Sequence, residues 1–395
     1  MNYRVMPKTG DKLSALGYGC MRFPRKGGGI DQARTTAQVR SAIERGVNYF
    51  DTAYVYPGSE QALGNALAGG WRDKVKVATK LPHMLIKKPA DMQMIFDTQL
   101  KRLQTDHIDY YMMHNIVNFS DWERVKSLGV IEFLEDLRAS GRVRCLGFSS
   151  HANLQTFRKL VDDYDWDFCQ IQYNYLDENF QAGKAGLLYA AQKGLGIIVM
   201  EPLRGGILGE KIPPAAAKLL SKSDPARSPA DWAIRWLLSH PEVGVVLSGM
   251  GVESHIDQNI RAASATENPT LSEQELRCLE EVKAVFAEKV KVPCTGCAYC
   301  VPCPYKVDIP ACFALYNNQS VHGGMYGYFH YINSTEGLWN GQPTRASNCK
   351  NCGVCVKLCP QQIDIPGELA RTAKKMEKPY LRIPAKIYAK FVARK

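Results

Sequence analysis

Residues 294–310 read CTGCAYCVPCPYKVDIP and residues 349–366 read CKNCGVCVKLCPQQIDIP. Each stretch places four cysteines within one short run, and both close on C-P-x-x-[VI]-D-I-P. The repeat implies two similar half-sites. Thiolates are soft donors, and this spacing suits an iron–sulfur cluster or zinc. Zinc closes with four ligands from two pairs, and needs neither a third consecutive C-x₂-C step nor the trailing Cys-Pro. Three closely spaced thiolates can instead hold one face of a cubane, while the fourth, set apart by a proline, reaches a second one. That geometry assigns Cys294, Cys297, Cys300 and Cys359 to one [4Fe–4S] cluster and Cys349, Cys352, Cys355 and Cys303 to another. The first run is one residue short before Cys303, so Cys312 stands as a reserve ligand. Cys20, Cys145, Cys169, Cys278 and Cys312 are scattered, and such cysteines are ordinarily small buried apolar residues.

A second set of residues suits proton transfer. Asp51, Tyr56, Lys80 and His114 fall at or just beyond the ends of three successive apolar runs, NYFDTA (48–53), VKVATKL (75–81) and HIDYYMMH (107–114). A free tyrosine holds its proton too tightly for exchange at neutral pH. A lysine ammonium beside it favours the phenolate. Asp51 would keep Lys80 charged and in place, and His114 could orient a substrate carbonyl by a hydrogen bond. Together they suit protonation of a carbonyl oxygen while hydride reaches the carbon.

Something must bring those ends together. Eight short apolar runs alternate with helical periodicity between residues 13 and 263; the others are LSALGYGCMRF (13–23), VRCLGFSS (143–150), DFCQIQYN (167–174), GIIVMEPL (196–203) and VGVVLSGM (243–250). Continuous apolar strands imply a parallel sheet covered on both faces. Eight such units in about 250 residues match a closed α/β barrel, a (β/α)₈ TIM barrel, whose chemistry sits at the C-terminal strand ends. No G-x-G-x-x-G follows a strand, which argues against an open dinucleotide-binding sheet. Gly27–Gly29 reads as a flexible loop. Ser228-Pro229 marks a helix start, and SEQELRCLEEVKAVFAEKV (272–290) reads as a connecting helix. The expected division is a barrel over 1–270, a linking helix over 271–291, a small ferredoxin-like iron–sulfur domain over 292–370 and a basic tail over 371–395. Residues 311–348, rich in Tyr, Phe, Asn and Gly, read as packing between the cysteine runs.

Two resemblances sharpen this. The second cysteine run is similar to the C-x₂-C-x₂-C-x₃-C-P of bacterial two-cluster ferredoxins. FDTAYVYPGSEQALG (50–64), VATKLP (77–82), YYMMHN (110–115) and LGFSS (146–150) resemble the aldo-keto reductases over roughly residues 10–265. That resemblance implies a nicotinamide cofactor, NAD(H) or NADP(H), across the barrel mouth, with Tyr56 as proton donor among Asp51, Tyr56, Lys80 and His114. It implies Ser149 and Gln170 around the carboxamide, and Cys20 and Met21 beside the cofactor. It places Met200 where the family often stacks an aromatic ring. After the eighth strand Asn259 matches, but Gly249 and His255 stand where NADPH-using members place basic residues. A phosphate monoester without a Lys or Arg partner is poorly held, so NADH or a different redox cofactor is the expectation.

Hydride carries two electrons and a cluster passes one. Coupling the two sites therefore needs a flavin or another one-electron-capable group. Three functions stay open: a reductase of carbonyls, or oxidant of alcohols, linked through its clusters to one-electron carriers; a nicotinamide-dependent carbonyl reductase with structural or oxygen-sensing clusters; and an electron-transfer module on a non-catalytic barrel. The formal net charge is +11, and cluster ligation would lower it to roughly +7. In the tail, Ile387, Tyr388, Phe391 and Val392 share a helical face apart from Lys386, Lys390 and Arg394, a pattern that suits an acidic electron-transfer partner or an anionic surface. Lys and Arg are nearly absent from the aromatic stretch 311–348, so nucleic acid is not expected. No 18-residue apolar run and no secretory leader pattern is seen, so no membrane span is expected and the expected location is the cytoplasm.

Overall fold

The computed structural model describes residues 1–265, 270–336 and 342–380. Eight parallel strands close into a barrel: β1 Leu16–Gly19, β2 Tyr49–Asp51, β3 Lys76–Pro82, β4 Ile108–Ile116, β5 Val143–Ser150, β6 Phe168–Gln172, β7 Gly196–Met200 and β8 Val243–Ser248. They run around the ring in chain order, with β8 pairing back onto β1. Each of the eight apolar runs read from the sequence supplies one strand. The interior is filled by alternate side chains, among them Ala78, Tyr110, Met112, Phe168, Ile198 and Val245. Three helices follow the first strands: α1 Gln32–Glu44, α2 Ser59–Leu67 and α3 Pro89–Leu103. Ser228 opens the helix Pro229–Leu238 by accepting from Asp231 N at 3.2 Å, the cap that Ser-Pro foretells.

Two hairpins were not foreseen. Strands Tyr3–Val5 and Lys12–Ser14 pair antiparallel ahead of the barrel. Met6, inside their turn, is buried among the barrel's interior residues at the N-terminal strand ends. Gly196, the first residue of β7, makes room for it, since a Cβ there would stand 2.0 Å from Met6 Cε. Asp11 fastens the hairpin, accepting from Tyr110 Oη at 2.9 Å and Arg144 Nη2 at 2.6 Å. The glycine run at 27–29 is likewise no open loop. It turns a short hairpin, Arg25–Lys26 against Gly29–Ile30, which delivers Asp31 to cap α1.

The chain forms two compact units, 1–203 with 227–274, and 204–226 with 275–395. The segment 204–226 thus groups with the C-terminal unit, although its position in the chain suggested the barrel. The reason is local. Gly205, at φ +66°, presses its backbone onto Thr295, where a Cβ would lie 2.1 Å from the carbonyl oxygen.

In the C-terminal unit the two D-I-P repeats do the same work. Asp308 accepts from Ala311 N at 3.2 Å and opens the helix Ile309–His322. Asp364 accepts from Gly367 N at 3.1 Å and opens the helix Ile365–Met376. In both, isoleucine goes to the core and proline takes the first turn, where no N–H is needed. The aromatic stretch is more regular than expected, with helices Ile309–His322 and Gly324–Thr335; Phe313 and Tyr331 anchor them in the core. The expected tail boundary at 371 falls inside the helix Ile365–Met376. Its proposed amphipathic face, 387–392, lies outside the described residues. Among the described residues no helix is long and apolar enough to cross a membrane.

Candidate functional site

The strand ends bring the four proton-transfer residues together. Asp51 closes β2, Lys80 lies within β3 and His114 within β4. Lys80 Nζ stands 2.5 Å from Asp51 Oδ1 and donates to Thr52 O at 2.7 Å, and the pair is buried. Tyr56 leaves β2 in a turn closed by its N–H to Ala53 O at 3.0 Å. Its half-buried ring stands between the lysine and the histidine. Lys80 Nζ lies 5.3 Å from the ring centre, and the His114 ring meets it edge-on at 6.0 Å and 87°. A cation so placed favours electron density on the phenol.

Electrostatics sort the roles. Burial pushes the Asp51 carboxyl up from its ordinary value, and the Lys80 ammonium works against that shift. Burial holds His114 well below the usual imidazole range, helped by Lys80, then His151 and His83. His114 is therefore a neutral hydrogen-bonding group at physiological pH. His83 and His151, which sequence reasoning missed, follow β3 and β5. Burial lowers His83 as well, and holds His151 at about 4, against an opposing hydrogen bond with Gln181 at 3.0 Å. Their signal was present in the text, a histidine directly after a strand, but a lone histidine there is weak.

The expected cofactor residues line neighbouring ends. Ser149 and Gln170 are register partners on β5 and β6. Ser149 Oγ accepts from Asn115 N at 2.8 Å. Gln170 Nε2 reaches Met200 Sδ at 3.6 Å, while its buried Oε1 has no hydrogen-bond partner, the mark of an amide awaiting a donor. Cys20 is buried near Asp51 and Lys80, and burial pushes its thiol well up; Met21 is exposed. Asn259 is buried and already engaged, donating to Ser248 Oγ at 2.8 Å. Gly249 is covered by the stem of Arg22, a basic residue that the first loop brings to this place: a Cβ on Gly249 would meet Arg22 Cδ at 3.3 Å. Further along, Glu253 is held by Arg34 at 2.6 and 2.8 Å.

In the C-terminal unit Cys294, Cys297, Cys300 and Cys359 line one pocket, walled by Ile309 and Phe313. Burial, followed by the thiols of Cys297, Cys294 and Cys359, pushes Cys300 up to about 12. Cys355 is raised by burial and by Cys349, with Cys303 and Cys352 adding to it. Cys359 therefore shares a pocket with the first three thiols of the other run, and Cys303 neighbours Cys355. Among the described residues no three His, Cys, Asp or Glu side chains converge tightly enough for a single ion. Four thiols around one apolar-walled pocket are the donor set of a cubane. Cys312 is not a reserve ligand. It is buried in the core, its Sγ 3.7 Å from Tyr331 Oη and 3.7 Å from Thr344 O.

Comparison with known proteins identifies both parts of the chain. The Aldo/keto reductase family model matches residues 15–284, and a 4Fe-4S dicluster domain model matches residues 293–365. The L-galactose dehydrogenase of Arabidopsis thaliana is 29% identical over 313 residues, covering 73% of this chain and 95% of that protein. The L-glyceraldehyde 3-phosphate reductase of Escherichia coli K12 is 25% identical, covering 71% and 92%. Among solved structures, the aldo-keto reductase AKR11C1 from Bacillus halodurans in its holo form superposes with a TM-score of 0.59 at 24% identity, covering 71% of this chain and 96% of that one.

Proposed function

Because the chain belongs to the Aldo/keto reductase family and carries a 4Fe-4S dicluster domain, we propose that it interconverts a carbonyl and an alcohol at the mouth of its barrel, with Tyr56 as the proton-transfer group. The observation that carries this is the buried Lys80, ion-paired to Asp51 at 2.5 Å and 5.3 Å from the Tyr56 ring. Asp51 keeps the ammonium charged and aimed. The ammonium eases loss of the Tyr56 proton to a carbonyl oxygen, and its return in the reverse direction. His114, neutral and edge-on to Tyr56, orients that oxygen without adding charge. The nicotinamide, when bound, supplies or accepts the hydride. Ser149 and the open Oε1 of Gln170 suit its carboxamide, and Cys20 and Met21 would lie beside it. Gly249 and His255 supply no fixed cation for a 2′-phosphate, which supports NADH over NADPH; Arg22 beside Gly249 is the residue that would reverse the preference.

We assign two [4Fe–4S] clusters, one to Cys294, Cys297, Cys300 and Cys359, the other to Cys349, Cys352, Cys355 and Cys303. Their proposed role is to link the barrel chemistry to one-electron carriers. Of the eight thiols Cys352 alone is exposed, which favours this over a purely structural role. The stretches 293–307 and 342–363 hold Lys306, Lys350 and Lys357 and no Asp or Glu, which suits an acidic electron-transfer protein; Arg345 is taken up by Glu336 at 2.9 Å. A two-electron donor and one-electron clusters need a flavin or similar group between them.

Anaerobic purification with iron, sulfide and flavin analysis, followed by substrate addition, tests the coupling. Bound flavin, or bleaching of the cluster absorbance by substrate and nucleotide, supports it. Unbleached clusters alongside full carbonyl turnover assign them a structural role. Tyr56→Phe should abolish turnover with the fold intact; retained turnover would remove the barrel site from the reaction.

A further inference from the structure

Glu60 takes no part in the chemistry just described, yet its side chain is 1% exposed in the first turn of α2. A buried carboxylate needs donors. It has three: Thr79 Oγ1 at 2.7 Å and Gln99 Nε2 at 2.9 Å on Oε1, and Arg102 Nη1 at 3.0 Å on Oε2. Each donor leads back to the reacting groups. Thr79 precedes Lys80 on β3 and points to the opposite face of the strand. Gln99 also donates to Lys80 O at 3.1 Å and is itself fixed by Tyr111 Oη at 2.8 Å. Arg102 Nη1 also donates to Tyr54 O at 3.2 Å, and its guanidinium lies 4.4 Å from the Tyr54 ring centre. Tyr54 begins the turn that carries Tyr56.

The neighbouring Ser59 does a parallel job. Its hydroxyl shares a hydrogen bond with Thr52 Oγ1 at 2.8 Å and donates to Cys20 O at 2.9 Å. Thr52 O is the second acceptor for Lys80 Nζ. The start of α2 is thus bonded to the elements that carry Lys80 and Tyr56.

We propose that Glu60 is a positioning residue for proton transfer: one carboxylate holds the backbone at Lys80 through Thr79 and Gln99, and the Tyr54–Tyr56 turn through Arg102, and so sets the separation of the two. The proposal rests on Tyr56 and Lys80 being the proton-transfer pair. Hydrogen bonds to a charged acceptor are the stronger kind, and an ångström of misplacement costs about a hundredfold in rate. A purely structural carboxylate would influence folding alone.

The test is Glu60→Gln, nearly isosteric, with Thr79→Val as a milder probe of the same link and Tyr56→Phe alongside. Reduction of 4-nitrobenzaldehyde is followed with NADH and NADPH, and crystal structures are determined for the Glu60 and Thr79 variants. The expected result for Glu60→Gln is kcat lower by roughly ten- to a hundredfold, with KM for the nucleotide within about twofold, and a Tyr56 ring displaced from Lys80 Nζ. Thr79→Val should shift kcat in the same direction by less. Where Glu60→Gln does not fold, the Thr79→Val kinetics and structure decide. A folded variant with wild-type kcat, or with the Tyr56–Lys80 separation unchanged, overturns the proposal. Turnover retained by Tyr56→Phe would instead overturn the reading beneath it, while the variant structures would still report whether Glu60 sets the separation.

Discussion

Lys80→Met removes one charge and almost no volume, and so isolates what the ammonium does. Its nitrogen is 5.3 Å from the centre of the Tyr56 ring. With an effective dielectric constant of about 20, unit charges at that separation interact by about 3 kcal/mol. If that energy stabilises the developing phenolate, its loss slows proton transfer by about two orders of magnitude. A second effect follows from burial. Asp51 loses its partner inside the barrel, and breaking a buried pair costs about 3–5 kcal/mol of stability. Burial already pushes the Asp51 carboxyl up, so in the variant it takes a proton and part of the cost is returned. The assay is kcat/KM for carbonyl reduction across pH, with urea denaturation of Lys80→Met, Asp51→Asn and the double variant. Reduction needs Tyr56 protonated, so its rate falls as pH rises past the tyrosine pKa. Without the ammonium that fall moves to higher pH while the plateau drops about a hundredfold. The double variant should be more stable than Lys80→Met alone. A folded Lys80→Met enzyme within threefold of wild type, with an unmoved alkaline fall, would refute the reasoning.

Further outcomes concern the histidines and the cysteines. His151 sits at about 4, below the ordinary 6.5, so between those values the unfolded chain binds a proton that the folded chain does not. Stability therefore falls as pH drops from 6.5 toward 4, by about 3 kcal/mol from this residue. Urea midpoints over that window should vary less steeply with pH in His151→Gln than in wild type. Cys359→Ser and Cys303→Ser should each lower bound iron from about eight atoms per chain to about four, as read by iron analysis. Cys312→Ala should leave the iron content unchanged.

The convergence of Asp51, Tyr56, Lys80 and His114 was legible because strand ends in a barrel are fixed by the apolar text around them; once NYFDTA, VKVATKL and HIDYYMMH are strands, Asp51, Lys80 and His114 have no other place to go. The D-I-P repeat was legible as a repeat but not as two helix starts, the task each copy has in the fold. Glu60 was not. A glutamate in the first turn of a helix reads as an ordinary dipole-favoured residue, and its three donors come from segments 19 to 42 positions away. Arg22 was missed because basic residues were sought after β8, whereas this one comes to Gly249 from the loop after β1. Met6 and its hairpin were missed because three-residue strands leave no alternation to read. Segment 204–226 carries no mark of belonging with the C-terminal unit beyond the pair Gly205-Gly206, and a glycine pair by itself reads only as a turn.

Met6, seated over Gly196 and tied down through Asp11, stoppers the end of the barrel opposite the reacting groups. Tyr110, Met112 and Phe168 fill the interior above it, so the barrel is solid from that floor upward. Anything that reaches Lys80 and Tyr56 must come from the opposite mouth, and the methionine completes the floor on which those layers rest.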